Sequence, residues 1–366
     1  MSLRFAIFLA VIISLLGAIN LFVYRRLSRA LRLERKGRSV VGAVLAVGLA
    51  SMIGARLVGP DLVSVAVVLG GMGAAIELGV LIAFALLVSE RAARGLVRVG
   101  QRMARKPSPE PESPPLARRD LLEGVTAVSA IALGGGASTY AALFGRHDFT
   151  IEEEVTALGE LPPALEGFVI AQLSDLHLGT YVREWEIQRG LEMVGRTKPD
   201  AIVLTGDLLD HDPRYAPSLA SFVRRLGEFA PVYAIVGNHD HYAGVRPVLE
   251  HLAAGGAEVL HNRHVVLGAH RVPTQAAFGS ERGIVLAGVD DVWGRRRGRT
   301  AGPDLALALE GARQDGPRVL LAHNPVFFPE AAGSIDLQLS GHTHGGQFNP
   351  GIRPADLVLP YGYVEG

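Results

Sequence analysis

Residues 201 to 210 read AIVLTGDLLD: an uncharged run, Ala201 to Leu204, that stops at Thr205, Gly206 and Asp207. So short an apolar run, closed by a turn residue and an acid, predicts a buried strand whose far end delivers a carboxylate. The arrangement recurs on both sides. Phe168 to Leu173 ends in Ser174, Asp175, Leu176 and His177, and Val232 to Val236 ends in Gly237, Asn238, His239 and Asp240. Further on, Val319 to Ala322 ends in His323, Asn324 and Pro325, and Leu337 to Leu339 in Ser340, Gly341, His342, Thr343 and His344. Another run, Ile284 to Gly288, leads to Asp290 and Asp291. Stretches with helical spacing lie between most of these, at Glu184 to Thr197, Pro217 to Glu228 and Val245 to Ala254. Strands alternating with helices predict an α/β fold. In open α/β sheets ligands collect at the carboxyl ends of strands, so five polar clusters point into one crevice.

The clusters offer Asp175, His177, Asp207, Asn238, His323, His342 and His344, all oxygen or nitrogen donors. One ion takes about four to six ligands, so the set suits two ions sharing a bridge. In the D-x-H and H-x-H segments alternate residues of an extended strand end point the same way. Asp207, after a glycine at a strand end, is placed to reach between two ions. The chain has no cysteine, which excludes disulfide scaffolds, thiolate metal sites and cysteine nucleophiles. Imidazole, carboxylate and amide donors suit Mn²⁺, Fe or Zn²⁺ alike.

The ordered set D-x-H, G-D, G-N-H-D, a histidine and G-H-T-H resembles the calcineurin-like metallophosphoesterase superfamily. SDLHLG (Ser174 to Gly179), TGDLLD (Thr205 to Asp210), VGNHD (Val236 to Asp240), AHNP (Ala322 to Pro325) and SGHTHGGQ (Ser340 to Gln347) look like its membrane-anchored branch, with the YkuE-like and YaeI-like phosphodiesterases and transmembrane proteins with a metallophosphoesterase domain. The match covers about residues 165 to 350. It implies a four-layer α/β/β/α sandwich. It also implies that Asp175, His177, Asp207 and His344 hold a first metal, and that Asp207 bridges to a second completed by Asn238, His323 and His342. His239 is then a catalytic residue outside the ligand set, oriented by Asp240, with Asn238 helping to stabilise developing charge. Relatives usually run some tens of residues past G-H-T-H-G-G, so a chain stopping at Gly366 is expected to be truncated.

These implications make the chain a metal-dependent hydrolase of phosphodiester, pyrophosphate or monoester bonds, attacking through a metal-bridging hydroxide. Lipid-linked or cell-envelope phosphoesters are the expected substrates, and nothing points to nucleic acid. Two other readings fit the residues: a UDP-2,3-diacylglucosamine pyrophosphatase-type hydrolase of lipid A synthesis, and a non-catalytic metal-binding membrane sensor. A capping or turn role suits Asp290 and Asp291. Arg295, Arg296, Arg297 and Arg299 form either a solvated loop or a cluster for phosphate or anionic headgroups. His211, His241, His251, His261, His264 and His270 have no motif around them.

Before residue 147 the chain has no histidine at all, although it has 12 in total. A mean hydropathy of +0.27 with 36 basic and 36 acidic residues is therefore an average over two unlike parts. Phe5 to Tyr24, Val40 to Val58 and Val63 to Val88 approach or exceed the roughly 20 apolar residues that span a bilayer, and Val125 to Phe144 matches that length but is diluted by Gly134, Gly135 and Gly136. The first run is too long for a signal-peptide core, and Arg25 and Arg26 follow it. Glu77, the one acid in the first three runs, is a candidate functional group or a partner for Arg56. Basic residues crowd Tyr24 to Ser39 and the stretch after the third run but are missing from Gly59 to Asp61, which puts the basic segments in the cytoplasm. The expected order is a membrane region over 1–106, a Pro-rich linker over 107–117, and a fourth span or twin-arginine-like anchor over 118–146, where Arg118 and Arg119 lead the run. A catalytic domain over 147–366 follows, on the extracytoplasmic side of a bacterial-type inner membrane.

Overall fold

Long apolar segments satisfy their backbone in hydrocarbon only as helices, and the first part of the chain forms four. They are α1 (Leu3–Ala30), α2 (Arg35–Leu57), α3 (Val63–Ala104) and α4 (Leu116–Leu143). The computed structural model describes residues 3–57, 63–104, 116–143, 149–179, 182, 184–268, 283–297 and 300–344. The expected linker at Pro107 to Pro115, the Gly59 to Asp61 turn, His270, Arg299 and everything beyond His344 lie outside these, as do the side chains of Arg56, Arg296 and Arg297. Two compact units divide between Phe149 and Thr150.

In the first unit, α1, α2 and α3 contain stretches long and apolar enough to cross a membrane, at Ala10–Ala30, Arg35–Ala55 and Val68–Val97. The unit has an apolar exterior and a mostly apolar interior that also encloses a few polar side chains, unlike a water-soluble bundle. Val40, Val68 and Leu133 are more than half exposed, while Asn20, Ser51, Glu77 and Ser138 are buried. Glu77 accepts a hydrogen bond from Asn20 Nδ2 at 2.8 Å, tying α3 to α1. Helix α4 falls outside the set of candidate spans, yet it packs on α3 through the glycine that dilutes it. A Cβ on Gly134 would lie 2.5 Å from the Gly79 carbonyl oxygen, so two backbones meet where a side chain would hold them apart.

The second unit runs β1 (Ile170–Leu173), α5 (Glu184–Thr197), β2 (Ala201–Thr205), α6 (Ala216–Leu226), β3 (Val232–Ile235), α7 (Asn238–Ala243), α8 (Val245–Gly255), β4 (Glu258–Val259), β5 (Arg263–Leu267), β6 (Ile284–Gly288), α9 (Val292–Arg297), α10 (Leu305–Ala308), β7 (Arg318–Leu321), α11 (Phe328–Ala331) and β8 (Leu337–Leu339). Strands β1 to β4 form a parallel sheet in sequence order. Strands β5 to β8 form a second sheet, parallel except for the antiparallel β5–β6 pair.

Side-chain alternation sorts the strands into layers. Ala201 and Val203 of β2 pack with Ile284 and Leu286 of β6 and with Val319 and Leu321 of β7, filling the space between the sheets. Ile202 and Leu204 face the other way, against α5, α6 and α8. On the far side of the second sheet, Ala287 and Leu320 pack on α10 and α11. The result is the expected α/β/β/α sandwich. Both faces of β2, β3 and β6 are buried, which is why these strands read as unbroken apolar runs.

Several elements are not foreshadowed by such runs or by helical spacing, the short helices α9, α10 and α11 among them. Strand β4 is two residues long, β5 opens on Arg263 and His264 and buries only Val265 and Leu267, and α7 begins inside the G-N-H-D segment read as a strand-end loop.

Candidate metal centre

Past β1 and β2 the chain keeps the two strands in step. Asp175 N donates to Gly206 O at 3.0 Å, His177 N to Asp207 O at 3.0 Å and Leu178 N to Leu208 O at 2.8 Å. The backbone pays locally for presenting these side chains. Asp175, His177, Asp207, His342 and His344 have φ of 53°, 44°, 52°, 71° and 52°, five of the nine non-glycine residues at positive φ among those described. That region costs an L-residue on the order of 1 kcal/mol or more, and such strain collects at functional sites. Beside them, Gly237 has no substitute. A Cβ there would stand 2.3 Å from Asp207 Oδ1.

Two groups of three ligand atoms result, each within 4.8 Å of one another: Asp175 with His177 and His344, and Asp207 with His323 and His342. The two sheets share both groups. Asp175, His177 and Asp207 come from the first sheet, and the remaining histidines follow β7 and β8 of the second. His177 Nε2 lies 3.3 Å from His344 Nε2 and 4.0 Å from Asp207 Oδ2, which links the groups. His342 N also donates to Asp175 Oδ2 at 3.0 Å.

The residues fit divalent cations by an independent sign, the orphaned polar atoms. His323 is 1% exposed; its Nδ1 pairs with the Thr205 carbonyl at 2.8 Å, which turns Nε2 toward Asp207 Oδ2 at 3.3 Å. Nε2 and the buried Asn238 Oδ1 have no hydrogen-bond partner. Leaving such atoms unsatisfied costs about 1–3 kcal/mol each, a cost that a coordinated cation removes.

Electrostatics separates the histidines. Burial, aided by neighbouring imidazoles, pushes His177 and His342 below the ordinary range. Burial also opposes charge on His323, but Asp207 outweighs it and lifts this group to about 9. Burial would raise Asp207, yet His323 and the His239 N–H, which donates to Oδ1 at 2.7 Å, hold it low.

His239 is positioned differently from the sequence expectation. Its Nδ1 lies 2.7 Å from the Asp210 carbonyl oxygen and 3.4 Å from Asp210 Oδ1, and these contacts outweigh burial to raise its pKa. Asp240 does not orient it. The Asp240 carboxylate is fully buried and accepts from the backbone N–H groups of Leu208 at 3.0 Å, Leu209 at 2.9 Å and Gly237 at 2.9 Å. Consecutive residues on a helix point about 100° apart, so side chains 239 and 240 of α7 cannot face each other. Burial and Asp207 push Asp240 up to about 6. Asp210, the last residue of TGDLLD, escaped sequence reasoning; the signal was a second acid three places after Asp207. It also groups with His177 and His239 within 4.8 Å.

Asp290 and Asp291 are buried, at 2% exposure each. Asp291 accepts from Trp293 N at 2.8 Å and so caps α9, as a turn role requires.

The calcineurin-like phosphoesterase family model matches residues 168–346, and the YkuE metallophosphoesterase of Bacillus subtilis, whose name marks it as uncharacterized, is 31% identical over 260 residues, covering 69% of this chain and 85% of that one. The chain belongs to this family. An uncharacterized metallophosphoesterase of Aquifex aeolicus is 33% identical over 198 residues, 54% of this chain and 69% of its own. A Danio rerio protein named transmembrane protein with metallophosphoesterase domain is 38% identical over 213 residues, 55% of this chain but 46% of its own. The chain thus spans about half the length of that relative and of its Bos taurus namesake. Three apolar helices and relatives so named support membrane association.

A metal ion held at His323 would need its neutral imidazole, and the Asp207 carboxylate beside it lifts this group to about 9. Below that value binding must displace its proton. Calorimetric titration of Mn²⁺ at pH 7 in buffers of different ionisation enthalpy is expected to show release of about one proton, and affinity falling about tenfold per pH unit below 9. Affinity independent of pH between 7 and 9 contradicts this.

Proposed function

We propose that this family member is a membrane-anchored phosphoesterase with a centre for two divalent cations, Mn, Fe or Zn. Asp175, His177, Asp207 and His344 would hold one, and Asp207, Asn238, His323 and His342 the other. The observation that carries the reading is the pair of ligand groups joined at Asp207, with orphaned Asn238 and His323 atoms pointing to unmet coordination. Divalent ions in such a site supply neutralisation of phosphoryl charge and a water acidic enough to be deprotonated near neutral pH.

The chain's own residues do the rest. Asp210 engages Nδ1 of His239 and raises its pKa, leaving Nε2 to carry a proton to the departing oxygen. The ring of His239 stands 4.6 Å from that of His177, edge to face, which keeps this proton beside the ligand groups. Asp240 ties α7 to the Leu208 and Leu209 backbone, so Asn238 and His239 hold station relative to Asp207. No covalent intermediate on the protein is required.

Substrates are phosphodiesters, pyrophosphates or monoesters of lipid-linked or envelope molecules, because the apolar helices favour a substrate that shares the membrane. The basic segments at the C-terminal ends of α1 and α3 and just beyond them support a cytoplasmic placement for both and, with α4 crossing, an extracytoplasmic catalytic unit. A reporter joined after Phe149 should then be active outside the cytoplasm; activity only inside would reverse the topology and favour a cytosolic lipid pyrophosphate substrate.

The deciding experiment is hydrolysis of chromogenic phosphodiesters and monoesters by the purified full chain in detergent with Mn²⁺. Turnover is expected on at least one ester, and Asp207→Ala and His239→Ala should each lower kcat by about 10²- to 10⁴-fold. Wild-type rates in both variants would overturn the assignment of the site, and metal-dependent binding without turnover of any ester would overturn the hydrolase and leave the sensor.

A further inference from the structure

Helix α7 is held on two flanks. Asp240 ties it to its own sheet. His241, 1% exposed, places Nε2 2.8 Å from Oδ1 of Asp290, which follows β6 of the other sheet and has a fully buried side chain. Several segments converge on this carboxylate. Thr300 Oγ1 donates to Oδ2, and His261 Nε2 lies 3.3 Å from Oδ1. Asn262 Oδ1 accepts from Asp290 N at 2.9 Å and Asp304 N at 3.1 Å, while its Nδ2 donates to Gly302 O at 2.9 Å. Burial would raise Asp290, but its bonds to His241, His261 and Thr300 keep it far below the ordinary range, an ionised carboxylate in a dry setting. Hydrogen bonds to such a group are about twice as strong as neutral ones.

The position of this network is what gives it consequence. The ligand groups are divided between the sheets, and α7 carries the residues that belong to neither strand set, Asn238 and His239. A link from α7 to the end of β6 therefore fixes where His239 stands relative to the second-sheet histidines.

We propose that His241 and Asp290 form a cross-sheet brace that positions α7, and through it the His239 imidazole, for transfer of a proton to the leaving group. Both are positioning residues, too deeply buried to touch substrate. The role rests on the phosphoesterase reading above.

The test uses the full chain in detergent with Mn²⁺ and compares wild type with His241→Phe, His241→Gln and Asp290→Asn. In His241→Phe and Asp290→Asn, kcat is expected to fall about 10- to 100-fold, the loss that displacement of a catalytic group by about 1 Å brings, with KM little changed and Mn²⁺ affinity falling far less than kcat, since Asn238 is the one proposed ligand on α7. His241→Gln, whose amide N–H can still reach Asp290, should recover most of kcat. The double variant His241→Phe/Asp290→Asn should be no worse than either single one. Amide hydrogen exchange over residues 238–243 is followed in the same proteins and should quicken in His241→Phe and not in His241→Gln. Equal losses of kcat and Mn²⁺ affinity would mark general damage and overturn the brace. So would wild-type kcat in His241→Phe or, if that variant fails to fold, in the shorter-reaching His241→Asn. If no ester is turned over even by wild type, the phosphoesterase reading fails, and the exchange data still judge the brace: unchanged exchange in His241→Phe overturns it.

Discussion

The Asp207 carboxylate is where the two sheets and the candidate chemistry meet. Oδ1 accepts the His239 N–H at 2.7 Å, and Oδ2 faces His323 Nε2 at 3.3 Å and His177 Nε2 at 4.0 Å. These neighbours come from the ends of β3, β7 and β1, so a single side chain is approached from three strands of two sheets. Much of the local structure serves this crowding. Gly237 is bare because a Cβ would touch Oδ1, Asp207 itself accepts a positive φ, and Asp240 spends its whole carboxylate on the backbone that presents it. A buried carboxylate among imidazoles is stable only with its charge compensated. His323 faces it closely enough to do so, and a cation bound between them would take the place of its proton.

How much of this was legible in the sequence follows from which signals are local. Strand ends β2 and β3 could be read because these buried strands are apolar throughout, and those of β1, β7 and β8, mostly apolar, because clusters of polar residues begin abruptly where they stop. The donor types could be read for the same reason. Strand β5 could not, since an edge strand that opens on Arg263 and His264 buries only alternate residues. Helix α7 could not either: a six-residue helix is too short for periodicity to declare itself. With α7 unseen, the resemblance alone supplied Asp240 as the partner for His239. Only the helical turn reveals that Asp240 faces the backbone and that Asp210, thirty positions earlier, serves the histidine. His241 and Asp290 share that difficulty on a larger scale, because their bond spans 49 residues and two sheets.

The membrane unit obeys a different accounting. Gly134, which lowers the hydropathy of α4, permits a close approach of two helices, so a composition rule and a packing rule pull in opposite directions there. Glu77 and Asn20 share one buried hydrogen bond within the unit, which joins two helices through polar groups. Both observations make these helices a built structure as well as a tether.

The account stands or falls on whether Asp207 joins two metal ions into one centre. Electron paramagnetic resonance of the full chain loaded with Mn²⁺ reads this directly. The account predicts the spectrum of an exchange-coupled Mn²⁺ pair in the wild type, reduced to uncoupled Mn²⁺ or lost by Asp207→Ala. An isolated-ion spectrum in the wild type at saturating Mn²⁺, or coupling that survives in Asp207→Ala, would contradict it.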